Sequence, residues 1–287
     1  MNKILRFFPA IRVHSWGGFG SQLFTAYVVL KMQEKHPERR IKVVVHTSGV
    51  TRRVSEFDFE CLGVTVHQVD DYREHLNHNL PSHVKNSLSS RFRKILKTFL
   101  LRILNGLRVI QNADSDKSFD SISFWTLAVR GHYTRLTLDG PVINLLFKKI
   151  FPEISLLSSE NILFVIHYRL GDLLHLADKE PISPQRVEKV LAKSKLDPDS
   201  SVVITDSDEK VVVPYLKHTR VLGQCRIVKY DPLITLWTCV QTPQFLGTTA
   251  KLSLWAAIFR HFVFEKESFL PDEFKWISSP SINIKWY

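Results

Sequence analysis

A two-unit α/β fold, each unit built on a parallel sheet, is what three features of the sequence predict. Strand-like and helix-like segments alternate along both halves of the chain. The strands read as continuous β-branched runs, the pattern of strands buried on both faces. A Pro- and Ser-containing stretch at 151–159 separates the halves. The 287 residues suffice for two domains of ordinary size, expected at 1–155 and 156–287.

Taken in order, the first half opens with a short apolar strand at 10–14 and a glycine turn at 17–20. A helical pattern follows at 22–36, with Leu23, Tyr27, Leu30 and Met32 near one side, and Pro37 ends it. Residues 41–46 are β-branched and continuous, and a second short strand is expected at 64–69. In the second half a strongly apolar strand at 162–168 leads to a helix at 184–192 with Pro184 in its first turn. Strands are expected at 201–205, 226–230 and 245–247, and helices at 209–217, 232–239 and 250–262, the first of these weakened by Pro214. In such folds ligands bind outside the carboxyl ends of the strands, so the expectation is two lobes facing a cleft.

Composition narrows the class. Hydrophobic residues make up 44% and charged residues 23%, ordinary for a globular chain and unlike a disordered one. The 39 Lys and Arg against 28 Asp and Glu leave +11, which calls for an anionic partner: nucleic acid, a phosphorylated substrate or an acidic membrane surface. Cys61, Cys225 and Cys239 are scattered, with neither metal spacing nor the makings of a disulfide framework. No apolar run has the length of a signal peptide or a membrane span. The expected location is the cytoplasm, with peripheral contact to the inner face of the membrane as an open option. One segment bears on that option. Between 91 and 108, Phe92, Ile95, Leu96, Phe99, Leu100, Ile103, Leu104 and Leu107 fall at helical spacing on one face. Arg91, Arg93, Lys94, Lys97, Arg102 and Arg108 occupy much of the rest, without an acid. Such a helix either lies on an anionic membrane or packs on its lobe with a solvated basic face.

Four segments carry potential chemistry. The turn Gly17-Gly18-Phe19-Gly20-Ser21-Gln22 follows a strand and opens a helix. Glycines allow close backbone approach, and a helix N-terminus favours anions. The spacing is not that of a dinucleotide fingerprint, and a plain glycine turn reads equally well. The segment His167-Tyr168-Arg169-Leu170-Gly171-Asp172 stands at the end of a strand, where the planar donors of Arg169 suit a phosphate; a structural Arg169–Asp172 pair is the competing reading. The segment Thr205-Asp206-Ser207-Asp208 ends the next strand and offers carboxylates to ribose hydroxyls or a base; capping of the following helix by Ser207 or Asp208 competes. At Gly247-Thr248-Thr249-Ala250-Lys251-Leu252-Ser253 a short strand ends and a helix begins, offering amides, hydroxyls and one cation to a diphosphate, unless Thr248 or Thr249 is an N-cap. His14, His46, His132 and His167 lack metal-ligand spacing and read as structural, and no metal site is expected.

In this order and spacing, these segments resemble the bacterial α-1,2-fucosyltransferase family and its wider fucosyltransferase relatives. The family's Gly-Gly-Leu-Gly-Asn-Gln-type turn reads GGFGSQ here, its His-x-Arg-Arg-Gly-Asp motif reads HYRLGD, a Ser-Asp-Asp-like stretch reads TDSD, and its late Ser-Thr-Phe-Ser-Trp-Trp-Ala-Ala motif reads AKLSLWAA. A Gly-Tyr-x-Gln-like element corresponds to Gly131-His132-Tyr133-Thr134. The resemblance implies a GT-B fold of two Rossmann-like lobes and an inverting transfer of fucose from GDP-fucose to a sugar hydroxyl, with no cofactor or metal required. It implies that Arg169 contacts the donor diphosphate, with His167 and Asp172 at the motif's flanking positions. By the same resemblance Asp206 and Asp208 lie near the nucleoside, Thr249, Lys251 and Ser253 in the phosphate-facing turn, and Gly18, Gly20, Ser21 and Gln22 in the glycine turn. The implied setting is a surface glycan such as an O-antigen built on a lipid-linked acceptor. Leu170 stands where the family has a second arginine, Ser21 where it has asparagine, and Ala250 and Lys251 where it has serine and threonine. These departures bear on the donor's identity, so another nucleotide sugar is the first alternative. No general base stands out; Asp172 and first-half residues are equally eligible.

Other classes fit less well. A nucleic-acid-binding protein would explain the charge, yet no recognition-module signature appears, and no nucleic-acid partner is expected. A nicotinamide-dependent oxidoreductase would explain the early glycines but lacks the fingerprint's acidic partner. A non-catalytic basic sugar- or membrane-binding module would follow if Leu170 and the altered late motif removed activity.

Overall fold

The computed structural model describes residues 9–47, 55–69, 99, 102–152, 162–171, 173, 180–192, 198–277 and 282–287. The chain divides into two compact units, Met1–Val142 and Ile143–Tyr287.

In the first unit, β1 (Ile11–Trp16), β2 (Ile41–His46), β3 (Thr65–Val69), β4 (Ile110–Asn112) and β5 (Ala128–Arg130) form a five-stranded sheet in the order β3-β2-β1-β5-β4. Every pairing is parallel. The sequence-predicted helix is α1 (Phe19–Lys35), which begins three residues earlier than expected. It is buried nearly all round rather than along one stripe, because residues such as Phe24, Ala26, Val28 and Val29 are apolar between the expected contact positions. Thr25 donates to the Ser15 hydroxyl at 2.9 Å, which identifies the sheet face that α1 covers. The other face of β1 therefore carries Arg12, His14 and Trp16. A short helix, α2 (Asp116–Asp120), has a capping box of Ser115 and Ser118.

Helix α3 (Gly140–Ile150) contains the division between the units. The second unit contains β6 (Phe164–Tyr168), α4 (Pro184–Leu191), β7 (Ser201–Thr205), α5 (Glu209–Leu216) and β8 (Arg226–Val228). It continues with α6 (Pro232–Gln241), β9 (Gln244–Gly247), α7 (Lys251–Phe264), β10 (Ser268–Leu270) and β11 (Ile284–Trp286). Its six-stranded parallel sheet has the order β11-β10-β9-β6-β7-β8. Counted within the unit, that is the doubly wound order of a dinucleotide-binding fold, with the switch point between β6 and β9. Each unit is thus Rossmann-like, in agreement with the α/β expectation.

Local chemistry explains the helix boundaries. Asp231 accepts the amides of Leu233 at 2.9 Å and Ile234 at 3.0 Å, ahead of Pro232 in the first turn of α6. Arg260 on α7 is fully buried and donates to the carbonyls of Cys239, Val240, Thr242, Pro243 and Glu267 and to the Ser268 hydroxyl. It satisfies the carbonyl end of α6 and joins that end to β9 and β10.

The segment 91–108 lies mostly outside the described residues. Of its apolar positions, Phe99, Ile103 and Leu107 are exposed, at 59%, 43% and 65%. No described helix is long and apolar enough to cross a membrane.

Candidate active site at the switch point of the second unit

The loops that follow β6 and β9 are the two that border the switch point, and they carry Arg169 and Thr248. The two loops are fastened together by Thr248, which is fully buried. Its amide and its hydroxyl both donate to the His167 carbonyl at 3.1 Å, and its hydroxyl oxygen accepts the Arg169 amide at 2.9 Å. The Arg169 side chain is only partly buried, and its Nη1 reaches the Thr249 carbonyl at 3.5 Å. The guanidinium therefore lies along the turn that begins α7.

A third strand tip sets the position of the arginine loop. Asp206, just past β7, accepts the amides of Leu170 and Gly171 through one oxygen, Oδ1, each at 2.9 Å. A Cβ on Gly171 would meet Asp206 Oδ2 at 2.4 Å, so this close approach requires glycine. Asp206 thus acts on the loop backbone. Asp208, by contrast, is exposed and paired with Lys229 at 2.7 Å. Neither Ser207 nor Asp208 caps α5 through its side chain: Asp208 occupies the N-cap position without such a bond. Asp172 lies outside the described residues.

His167 and Ser253 face inward. Both are buried, and His167 Nδ1 stands 2.7 Å from the Ser253 hydroxyl. Burial holds the His167 imidazole neutral, with its pKa lowered to about 4 despite the nearby Asp206 carboxylate. Ser253 stands so close to β9 that a Cβ on Gly247 would meet its Cβ at 2.4 Å. These two residues hold α7 against β6 and β9.

Leu170 is fully buried in the core cluster with Ile166, Tyr168, Val203 and Leu216. A second arginine there would bury an unpaired charge, so the departure from the family motif is a packing choice. Thr249 and Lys251 are partly exposed at the start of α7. The N-cap position is Ala250, whose side chain has no oxygen to offer the first-turn amides. Its first-turn amides thus meet no oxygen from a capping residue.

The glycine turn of the first unit differs. Gly17 has φ +82°, the left-handed region that admits glycine, and α1 starts at Phe19. Glu56 Oε2 accepts the Phe19 amide at 2.6 Å, placing the protein's own carboxylate at the N-terminus of α1. Gln22 is fully buried: it donates to the Gly17 carbonyl at 3.0 Å and accepts the amides of Glu56 at 3.0 Å and Phe57 at 2.8 Å. Gly20 is also buried, and Ser21 packs beside Gly17. Gly18 is the N-cap of α1, without a side chain to cap it. Gly18, Gly20, Ser21 and Gln22, expected at the donor, thus lie at a helix start where the protein's own Glu56 takes the Phe19 amide.

Sequence reasoning had no part for Thr248 as the link between loops, nor for Glu56. The available signal for Glu56 was an acid next to aromatic residues in Glu56-Phe57-Asp58-Phe59, which does not reveal its target.

No family model matches the chain, and no curated protein matches it. Among solved structures, it is similar to a family 9 glycosyl transferase from Veillonella parvula, with 9% identity and a TM-score of 0.45 over 97% of this chain and 86% of that one. It is similar to the heptosyltransferase WaaC of E. coli with ADP, at 12% identity and a TM-score of 0.46 over 96% and 92% of the two chains. A sialyltransferase from Photobacterium damsela aligns at 8% identity and a TM-score of 0.34 over 97% and 81%.

Proposed function

We propose that this chain is a GT-B-type glycosyltransferase whose second unit holds the diphosphate of a nucleotide sugar. One observation carries the reading: at the switch point, the Arg169 guanidinium lies along a turn whose N-cap residue, Ala250, offers no side-chain oxygen to the helix. Charge placement supports it. Lys251 begins α7, where a cation opposes the positive end of the helix dipole. A diphosphate bound there would meet both, and Lys251 would supply the second charge that buried Leu170 does not.

The chemistry is displacement of a nucleoside diphosphate by an acceptor hydroxyl. Negative charge grows on the leaving diphosphate, and Arg169, Lys251 and the first-turn amides of α7 are preorganised to stabilise it. Thr248 holds the Arg169 amide, and Asp206 holds the amides of Leu170 and Gly171 that follow it. The family resemblance favours GDP-fucose as donor, inverting stereochemistry, no required metal, and a surface-glycan acceptor reached at the inner face of the membrane. Leu170 is the reason to test other donors alongside it.

The test is thermal stabilisation by GDP, UDP and ADP and their sugar conjugates, followed by transfer assays with the best donor. Arg169→Ala is expected to lower turnover ~10²–10³-fold with unchanged melting temperature, and Arg169→Lys to restore little, because a point charge lacks the planar fork. Near-normal turnover in Arg169→Ala would refute the assignment.

A further inference from the structure

One edge of the first unit carries apolar side chains that the fold leaves in solvent. Residues 99 and 102–106 are helical and lead into β4. Phe99, Ile103 and Leu107 recur at every fourth position, near one face of this helical stretch, and all three are exposed. The stretch ends in a Schellman cap: the Val109 amide donates to the Leu104 carbonyl at 2.9 Å, and the Arg108 amide to the Asn105 carbonyl at 3.0 Å. The cap puts Arg108 in the left-handed region, at φ +57°, where glycine is the unstrained residue. The Thr126 hydroxyl donates to the Arg108 carbonyl at 3.0 Å, and the amides of Leu127 and Ala128 donate to the Val109 carbonyl at 2.9 Å and 3.2 Å. Strands β4 and β5 run parallel, so the residues just upstream of these bonds, Leu107 and Trp125, stand side by side as well. Trp125 is 65% exposed, with its ring edge-on to Phe124.

Cations surround these groups. Arg102 and Arg108 are exposed on the helical stretch itself. The Arg12 amide donates to the Leu127 carbonyl at 2.8 Å, and the Ile11 amide to the Arg40 carbonyl at 2.8 Å. Strands β1 and β2 thereby bring exposed Arg12, Arg40 and Lys42 to the same end of the sheet. Segments 9–12, 39–42, 102–110 and 121–128 contain no acid. Three occupants compete for such a surface. A second copy related by a two-fold axis would set these cations against their own images, which repels. A nucleic acid would meet the cations but leave Phe99, Ile103 and Leu107 without a role. An anionic bilayer satisfies both sets at once. Aromatic and aliphatic side chains enter the boundary between headgroups and acyl chains, and guanidinium groups stay with the phosphates.

We propose that this edge of the first unit docks on an anionic lipid bilayer, with Phe99, Ile103, Leu107 and Trp125 in the headgroup–acyl boundary and Arg102 and Arg108 on lipid phosphates. Docking accounts for the arginine at the left-handed cap: it holds a cation beside Leu107 where stability alone favours glycine. The docking goes beyond the transfer reaction and does not depend on it, since every group named belongs to the first unit.

The experiment is flotation of the full chain with vesicles of phosphatidylcholine alone or with about 30% phosphatidylglycerol, at ~0.1 M and ~1 M salt. The parent is expected to float with the anionic vesicles at the lower salt, and to partition about tenfold or more weakly onto phosphatidylcholine alone or at the higher salt. Trp125→Ala and Leu107→Ser should each weaken partitioning roughly tenfold. Arg108→Gly should weaken it about fivefold while the melting temperature holds or rises, because glycine suits the backbone there; a variant that merely damaged the fold would melt lower. Acyl chains carrying bromine should quench the tryptophan fluorescence of the parent more than that of Trp125→Phe, which keeps an aromatic ring and should float like the parent. A parent that stays in the soluble fraction at the lower salt, or partitioning unchanged in both Trp125→Ala and Leu107→Ser, would overturn the proposal. A concentration-dependent dimer that Leu107→Ser dissociates, or binding of a DNA duplex in place of vesicles, would also overturn it and assign the surface to that partner.

Discussion

Gly171→Ala isolates the contact that sets the arginine loop. The added Cβ would stand 2.4 Å from Asp206 Oδ2 and 2.7 Å from its Cγ, where ordinary contact begins at 3.4 Å. Relief requires the carboxylate to retreat by about 1 Å, which stretches its two 2.9 Å bonds to the Leu170 and Gly171 amides beyond hydrogen-bonding distance. Hydrogen bonds to charged groups contribute about 1.5–3 kcal/mol each, but Asp206 is exposed, so about 1 kcal/mol each, or about 2 kcal/mol together, is the working figure. Asp206→Ala removes the same two bonds and should cost the same. The decisive measurement is a double-mutant cycle by chemical denaturation. With Asp206 already truncated, the Gly171 methyl has nothing to displace, so the double variant should cost about 2 kcal/mol rather than about 4 kcal/mol. Nucleoside-diphosphate affinity should fall roughly tenfold in all three variants, because Arg169 follows directly before the loosened amides. Additive costs, or a Gly171→Ala protein as stable as the parent, would refute the latch.

Two other predictions concern groups buried in the second unit. Arg260→Leu leaves five carbonyls and a hydroxyl without their donor, and should lower stability by about 3–5 kcal/mol, seen as a melting temperature lower by roughly 10 °C. Burial lowers the Arg260 pKa only to about 10, so the wild-type guanidinium remains charged and bonded at neutral pH. His167 makes the fold acid-sensitive: its pKa falls from 6.5 in the unfolded chain to about 4 in the native one. Between those values the unfolded chain binds the extra proton, so stability declines as pH falls through 6.5 and the loss levels off near pH 4, at about 3 kcal/mol. His167→Gln should flatten that slope in denaturant titrations; an unchanged slope would remove His167 as its source.

The longer elements were readable because burial on both sheet faces writes itself as unbroken apolar runs. Strands β2 and β7 fall on the expected residues, and α4 begins at Pro184 as its sequence implies. The three-residue strands β4, β5, β10 and β11 are too short to show any period and form only because a neighbouring edge accepts them. The opening Gly-Pro of α3 reads as a turn, though Pro is also at home in a helix's first turn, and α3 rather than the segment after it contains the division between units. At the site, Arg169 and the 248–251 turn were legible as strand tips. What Asp206, Thr248 and Glu56 do was not, because each acts on backbone amides or carbonyls of distant segments, and backbone partners leave no trace in side-chain identity.

Both units are parallel sheets with a switch point, though their strand orders differ, and they treat the helices beside those points in opposite ways. In the first unit the amide at the start of α1 is bonded to Glu56, and Gln22 ties the Glu56 backbone to the glycine turn, so the helix carries its own anion. In the second unit α7 starts from Ala250, with Lys251 in its first turn and Arg169 alongside, so cationic side chains stand at a terminus whose N-cap residue offers no side-chain oxygen. Like charges assembled at a helix N-terminus are destabilising in isolation, by about 0.3–1 kcal/mol each at an exposed position. A carboxylate such as Glu56 supplies the stabilising charge in the first unit, and on the proposed reading a bound diphosphate would supply it in the second. The internal carboxylate at α1 and the cation-bearing turn at α7 are the contrast on which the proposed assignment of the nucleotide to the second unit stands.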